Sequence, residues 1–399
     1  MYDAAVVGGG IVGSSVAYHL AREGAETVLV DREDEGRATD AGAGILSPAT
    51  SSRTGSDPWF EFAVEAVDYY PDLVAALADE QDGETGYEQC GLLSVAVDDA
   101  EVEAFDRAKE RIERRQEALG RPDPDSFAEV DPGEARERFP PLADVERAAY
   151  YEEAARVDGK LLTAALRRAG EAHGLDVRRA SAEQFRVEDG EITAVETDEG
   201  TIETAAAVVA GGAWSPAFGD QLGVELPVEP QRGQIAHLDL GAEAGGTDAR
   251  VDAATTGADA ATDGPDTGDW PIVSAFREHY LVSWPDGRVA AGATRETGSG
   301  FAPRTTAAGV REVLDEALRV APGLGDAELA EVRVGLRPVS ADRLPILGAV
   351  PDVEGAFVAT GHGATGLQLG PYSGKLVADA VRGEEPETDV SAFAVSRFE

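Results

Sequence analysis

The chain opens on a short apolar run, Ala4-Ala5-Val6-Val7, followed by three glycines, Gly8-Gly9-Gly10. From Ile11 to Glu23 the apolar positions change to helical spacing, with Val12, Val16 and Leu20 in register and Gly24 suited to stop the helix. A second apolar run, Thr27-Val28-Leu29-Val30, ends at Asp31. The pattern predicts strand, tight turn, helix and strand, the start of a βαβ unit. Further along, residues 59–82 and 100–119 read as helices charged on one side, with a strand at 92–97 between them. Residues 160–173 predict another helix. Alternation over 192–204 about Asp198-Glu199-Gly200 predicts a hairpin, and 205–210 a buried strand running into Gly211-Gly212-Ala213-Trp214. Residues 280–284 and 288–291 flank Pro285-Asp286-Gly287 as strand, turn and strand. The last part returns to a strand at 356–360, a glycine-rich turn and a helix through Lys375 to Val381. Residues 241–269 break every pattern. Almost all Gly, Ala, Thr and Asp, they hold too little apolar surface to offset ordering entropy, so a flexible acidic insertion is expected there.

Composition narrows the function. At 399 residues the chain exceeds one compact domain, and 43% hydrophobic residues allow a large core. Acidic residues number 76 against 34 basic, a net charge of −42. Such a field repels nucleic acid and anionic lipid, so neither is expected as a partner. The basic residues are nearly all Arg, with Lys only at Lys109, Lys160 and Lys375. This acidic pattern resembles proteins of salt-in halophiles, archaea among them, whose surface charge stays hydrated and is screened in concentrated salt. One cysteine, Cys90, excludes an intramolecular disulfide and a Cys-based metal site, and no metal is expected. No stretch approaches the roughly 20 apolar residues of a membrane span. The first apolar run already carries the glycine turn, so it does not read as a signal peptide, and a cytoplasmic location is expected.

Gly8-x-Gly10-x-x-Gly13 lies between the predicted strand and helix, and Asp31 follows about 20 residues on, at the end of the next strand. Gly8 permits the tight turn. Gly10 lets the backbone approach a pyrophosphate seated on the helix start, at Ile11 and Val12. Gly13 permits close packing of helix on strand. Asp31, with Arg32 beside it, suits the adenosine ribose hydroxyls. The motif serves NAD and FAD alike. The segment 36–46 distinguishes them, because a run of small residues there, including Ala38, Thr39, Ala43 and Gly44 before Ile45, lets backbone N–H groups reach a bulky ligand.

Several segments then occur in one order: residues 6–13, 39–46, 208–214 and 227–234; Gly292-Ala293-Thr294; Gly335-Leu336-Arg337-Pro338 with Asp342 and Pro345; residues 361–366; and 389–398. This series resembles the family of glycine and D-amino-acid oxidases, sarcosine oxidase included, over nearly the whole chain except 241–269 and much of 100–150. The resemblance implies an α/β two-domain flavoprotein. A Rossmann-type FAD-binding domain would be assembled from residues 1–85, 150–215 and 335–399, and an antiparallel-sheet substrate domain from 86–149 and 216–334, with the flavin where they meet. It further implies that Arg337 clamps a substrate carboxylate, a task suited to the guanidinium fork, and that Tyr280 contacts the same group. Arg295 stands where glycine oxidases have an apolar pocket residue, so a second cation facing an anionic side chain is one reading and an outward-pointing arginine the other. The turn His362-Gly363-Ala364-Thr365-Gly366-Leu367 would lie beside the flavin, and Gly211 would also contact FAD.

Besides Arg295, the sequence departs from the family at three points. The arginine usual in the last turn is absent, which counts against glycine itself. No residue for covalent attachment is present, so FAD is expected to be noncovalent. No lysine stands near Ala290-Ala291, which weakens the case for oxygen as acceptor. The implied reaction is oxidation of a small amino acid (glycine, a D-amino acid or an N-methyl amino acid) at Cα–N by hydride transfer to flavin N5, giving an imine and then a 2-oxo acid. Two alternatives stay open: an FAD-dependent 2-hydroxy-acid dehydrogenase with His362 as base, and an electron-transfer flavoprotein subunit of a complex. A homo-oligomer is also left open.

Overall fold

The computed structural model describes residues 1–52, 58–241 and 267–398. The insertion expected at 241–269 lies, apart from its ends, outside the described residues.

One sheet of eight strands is built around Tyr2–Val7, which pairs in parallel with Thr27–Val30 on one side and Gly200–Val209 on the other. Asp176–Arg178 extends the parallel part past Thr27–Val30, and Ala356–Thr360 extends it past the end of Gly200–Val209. Strands covered on both faces are apolar throughout, which is why residues 4–7 and 27–30 read as unbroken apolar runs. The hairpin expected over 192–204 is present as Glu191–Thr197 on Gly200–Val209, whose second half is the strand expected at 205–210, so the two are one strand, with Ala182–Glu188 beyond the hairpin. Its outer strand is partly exposed, hence the alternation.

The helices Ile11–Arg22, Gly159–Ala172 and Gly366–Val381 form where helical spacing predicted them. The first and last cross almost backbone to backbone. A Cβ at Gly374 would lie 2.5 Å from Ser15 Cβ, and Ser15 Oγ donates to the Pro371 carbonyl at 2.8 Å. This crossing brings both helix starts to one edge of the sheet. The single helix expected over 59–82 is two, Pro58–Asp68 and Tyr70–Glu80. Pro71 is the reason: it lacks an N–H and its ring clashes with the carbonyl a turn earlier, so a helix running through it would lose a hydrogen bond, and here it opens the second helix instead.

The second sheet has nine strands among the described residues. Its long centre is Val228–Asp239 paired antiparallel with Glu328–Ser340 and with Arg288–Gly292. Tyr280–Ser283, Ile272–Ala275, Leu92–Ala96, Arg147–Tyr151 and Phe127–Val130 follow in order. The sheet is antiparallel except at one junction, where Ile272–Ala275 runs parallel to Leu92–Ala96. The end of Glu328–Ser340 stays paired with the start of Val228–Asp239 and also docks on the first unit. Leu336 N donates to the Gly36 carbonyl at 2.8 Å, and Val339 bridges to His362. The boundary expected at residue 335 therefore falls inside one continuous strand. Among the described residues no helix is long and apolar enough to cross a membrane.

Candidate active site

A cleft of about 360 Å³ lies between the glycine turn and the face of the second sheet. Its first wall is the edge of the parallel sheet. Gly8 has φ +105°, and a Cβ there would lie 2.5 Å from the Ala210 carbonyl oxygen, so only glycine fits. Gly8, Gly10, Ile11 and Val12 line the cleft. Gly13 does not; it is the contact of helix on strand, since a Cβ there would collide with the Gly8 carbonyl. The helix Ile11–Arg22 has no side-chain cap and no acidic residue in its first turn. Beyond Ile11 N, the N–H groups of its first turn and its positive end are left for an anion. Thr39 Oγ1 accepts from Ile11 N at 3.0 Å and ties the small-residue segment to this helix start. Ala38, Ala43, Gly44 and Ile45 continue along the same cleft, with Gly211 opposite.

Asp31 also lines the cleft, and its surroundings were not legible in the sequence. Its carboxylate receives the guanidiniums of Arg37 and, at 2.7 Å, of Arg167, as well as Glu33 N at 3.2 Å. Burial raises the Asp31 carboxyl, yet the two arginines hold it below its usual range, so it is ionised and ready to accept hydroxyl donors. Arg32 pairs with Asp34 and lies over the Trp214 ring, 5.7 Å from its centroid.

The turn after Ala356–Thr360 forms the floor. His362, Gly363, Ala364, Gly366 and Leu367 line the cleft, but Thr365 does not. Its hydroxyl turns back to the His362 carbonyl at 2.9 Å. The helix Gly366–Val381 has no side-chain cap at its start either. The His362 ring is buried, with Nε2 3.0 Å from Ser373 Oγ, and burial pushes its pKa down to about 4. It is therefore a neutral, packed imidazole at neutral pH. Gln368, which sequence reasoning missed, lines the cleft with a buried Nε2 that has no partner, while its Oε1 accepts from Ser47 N at 3.1 Å.

The far wall carries Tyr280, Arg295 and Arg337. Two glycines make room for the larger groups. A Cβ at Gly233 would lie 2.5 Å from Arg337 Cζ, and one at Gly292 would lie 2.7 Å from the Tyr280 hydroxyl oxygen. The guanidinium and the phenol thus lie flat on the sheet. Arg337 Nη1 donates to the Thr294 carbonyl at 2.8 Å and a second interaction joins the guanidinium to Tyr280. Thr294 is itself held, its Oγ1 accepting from Gln234 N at 3.0 Å and donating to Glu296 Oε1 at 2.9 Å. Burial lowers the Arg337 pKa, and burial raises that of Tyr280, which stays protonated. Arg337 makes no ion pair among the described residues. Arg295 Nη1 pairs with Glu278 Oε2 at 3.0 Å.

A family model described as FAD dependent oxidoreductase (DAO) matches residues 3–380. The chain belongs to the DAO family of FAD-dependent oxidoreductases. It is 38% identical over 389 residues to the uncharacterized oxidoreductase YurR of Bacillus subtilis, covering 97% of each chain. It is 30% identical over 400 residues to a glycine oxidase of Geobacillus kaustophilus, covering 99% of this chain and 97% of that one. Among solved structures, an iminodiacetate oxidase from Chelativorans sp. BNC1 matches with a TM-score of 0.87 at 36% identity over 98% of both chains. The two-domain flavoprotein architecture is that of the DAO family, and the protein is an FAD-dependent enzyme. The DAO-family cleft here suits that cofactor on its own terms: two helix starts whose N-cap residues give no side-chain bond, an ionised Asp31 for ribose hydroxyls, and the orphaned amide of Gln368 for an acceptor atom.

Proposed function

We propose that this enzyme oxidises a small amino acid, with a primary or N-substituted amine, at its Cα–N bond. The observation that carries the reading is Arg337, a half-buried, partly desolvated guanidinium facing the cleft with no carboxylate partner among the described residues and the Tyr280 hydroxyl beside it. A desolvated cation left unpaired is costly unless an anion arrives to complete it. A substrate carboxylate does so, its two oxygens matching the guanidinium fork. Bound FAD supplies the two-electron acceptor. The chain's part is orientation: Arg337 and Tyr280 hold the carboxylate, and Ile235, two positions from Gly233 on the same strand face, adds an apolar lining to the cleft. The glycine oxidase and iminodiacetate oxidase among its relatives support amine chemistry.

Oxidation of a neutral amine needs no side-chain base. A 2-hydroxy acid would need one to take the hydroxyl proton. The cleft carboxylates Asp31, Asp34 and Glu183 all come from the first unit, while His362 is packed against Ser373. This favours the amine over the hydroxy acid. FAD held without a covalent bond belongs to the same reading, since Cys90 does not line the cleft. So does the division of labour, with the parallel-sheet unit binding FAD and the nine-stranded sheet presenting the substrate-facing side chains. The acidic excess supports work in concentrated salt.

The test is an anaerobic titration of the flavin absorbance band in molar KCl. Glycine, sarcosine, D-alanine and 2-hydroxyglutarate are added separately. Bleaching by an amine is expected, and bleaching by the hydroxy acid alone overturns the proposal.

A further inference from the structure

Arg295 is a second cation at the Arg337 end of the cleft, and nothing in the amine reading uses it. It directly follows Thr294, whose carbonyl holds Arg337 Nη1 at 2.8 Å, so the backbone brings both guanidiniums to one place. Tyr280 lies within the influence of both, each arginine opposing the rise that burial imposes on its phenol. The two cations differ in one respect. Arg337 is half-buried with no ion pair among the described residues, whereas Arg295 is 43% exposed and bound to Glu278, through Oε2 at 3.0 Å and the main-chain carbonyl at 3.1 Å. The Glu278 side chain is itself 71% exposed. An ion pair this open to water is weak, so a carboxylate in the cleft competes for Arg295 easily. Both cations line one end of the cleft, where salt screens contact-range attraction less than it screens the wider field of a chain of net charge −42.

We infer that Arg295 reads a second carboxylate on the substrate, so that the preferred class is an amino or imino dicarboxylate shared between Arg337 and Arg295. This rests on the amine-oxidation reading. Arg337 takes the carboxylate adjoining the reacting carbon, as any small amino acid requires. Arg295 exchanges part of its contact with Glu278 for the distal carboxylate. A monocarboxylate leaves the Arg295–Glu278 pair intact and gains nothing from it.

The experiment compares three ligands that differ at one group: sarcosine, iminodiacetate, and the monoamide of iminodiacetate, in which the second carboxylate is a neutral amide of the same shape. Binding is read as perturbation of the flavin band of the holoenzyme, and reaction as its bleaching, both without oxygen. The wild-type chain should bind iminodiacetate at least about tenfold more tightly than the monoamide, as expected for one charge-assisted hydrogen bond. Arg295→Met should reduce that preference to about twofold or less, while sarcosine affinity moves less than about threefold. Arg295→Lys should keep part of the preference. Equal binding of diacid and monoamide by the wild type overturns the inference, as does an Arg295→Met variant that weakens all three ligands alike. Discrimination in the binding readout with no bleaching by any of the three would instead overturn amine oxidation, leaving the second-carboxylate role of Arg295 supported.

Discussion

Replacing Arg337 with Met separates function from stability in a way the structure makes quantitative. The guanidinium is partly desolvated, and in the free chain its contacts are the Thr294 carbonyl at 2.8 Å and Tyr280, with no carboxylate among the described residues. With substrate bound, two charge-assisted hydrogen bonds to one carboxylate contribute about 3–5 kcal/mol. Their loss should lower kcat/KM for sarcosine or glycine between about a hundred- and several thousand-fold. Folding should respond little. Met fills a similar volume, and removing a half-buried, partly desolvated cation offsets the lost hydrogen bond to Thr294, so Tm should stay within a few degrees of wild type. Three measurements check this: steady-state kinetics, FAD content after purification, and thermal unfolding in molar KCl. Turnover within about threefold of wild type would refute the carboxylate role. A clear fall in Tm with loss of FAD would show that Arg337 holds the fold together rather than the substrate.

Three further outcomes follow from other parts of the molecule. Gly233→Ala places a Cβ 2.5 Å from Arg337 Cζ, and the flexible guanidinium must swing aside; substrate KM should rise about tenfold or more with FAD content and Tm near wild type, and an unchanged KM would contradict the flat-lying geometry. His19 and His362 are buried neutral, with burial pushing their pKa down to about 3 and about 4, against about 6.5 in an unfolded chain. Between those values the unfolded state binds more protons, so the stability they contribute is full above about pH 6.5 and is lost as pH falls toward 4, each approaching about 1.4 kcal/mol per pH unit. Urea unfolding midpoints between pH 5 and 7 should show this slope, and a His19→Asn, His362→Asn double variant with the wild-type slope would refute it. Finally, raising KCl from about 0.1 to 2 M shortens the screening length from about 10 Å to below 3 Å and should raise Tm, because 76 acidic residues repel one another against 34 basic ones; a flat or falling Tm would remove the case for a salt-adapted surface.

The sequence by itself determined the elements whose patterning is local. The apolar runs at 4–7 and 27–30, the glycine turn between them and the helix after it follow from backbone stereochemistry over a few residues, and they appear where expected. The hairpin at 191–209 and the final strand–turn–helix are legible for the same reason. Even the break at Pro71 was written in one residue, although the apolar periodicity over 59–82 concealed it. Tertiary structure decided what faces what. Asp31 meets Arg167 from 136 positions away, and Tyr280 lies over Gly292 only because two strands pair in that register. The room that Gly233 leaves for Arg337 exists only because Val228–Asp239 and Glu328–Ser340 align. Residues adjacent in one turn also part company: Ala364 lines the cleft and Thr365 turns away to the His362 carbonyl. Side-chain type and spacing specify which groups can bind a dinucleotide or a carboxylate. Whether a cation there is paired, buried or left open depends on strands brought together from distant parts of the chain, and no local pattern encodes that register.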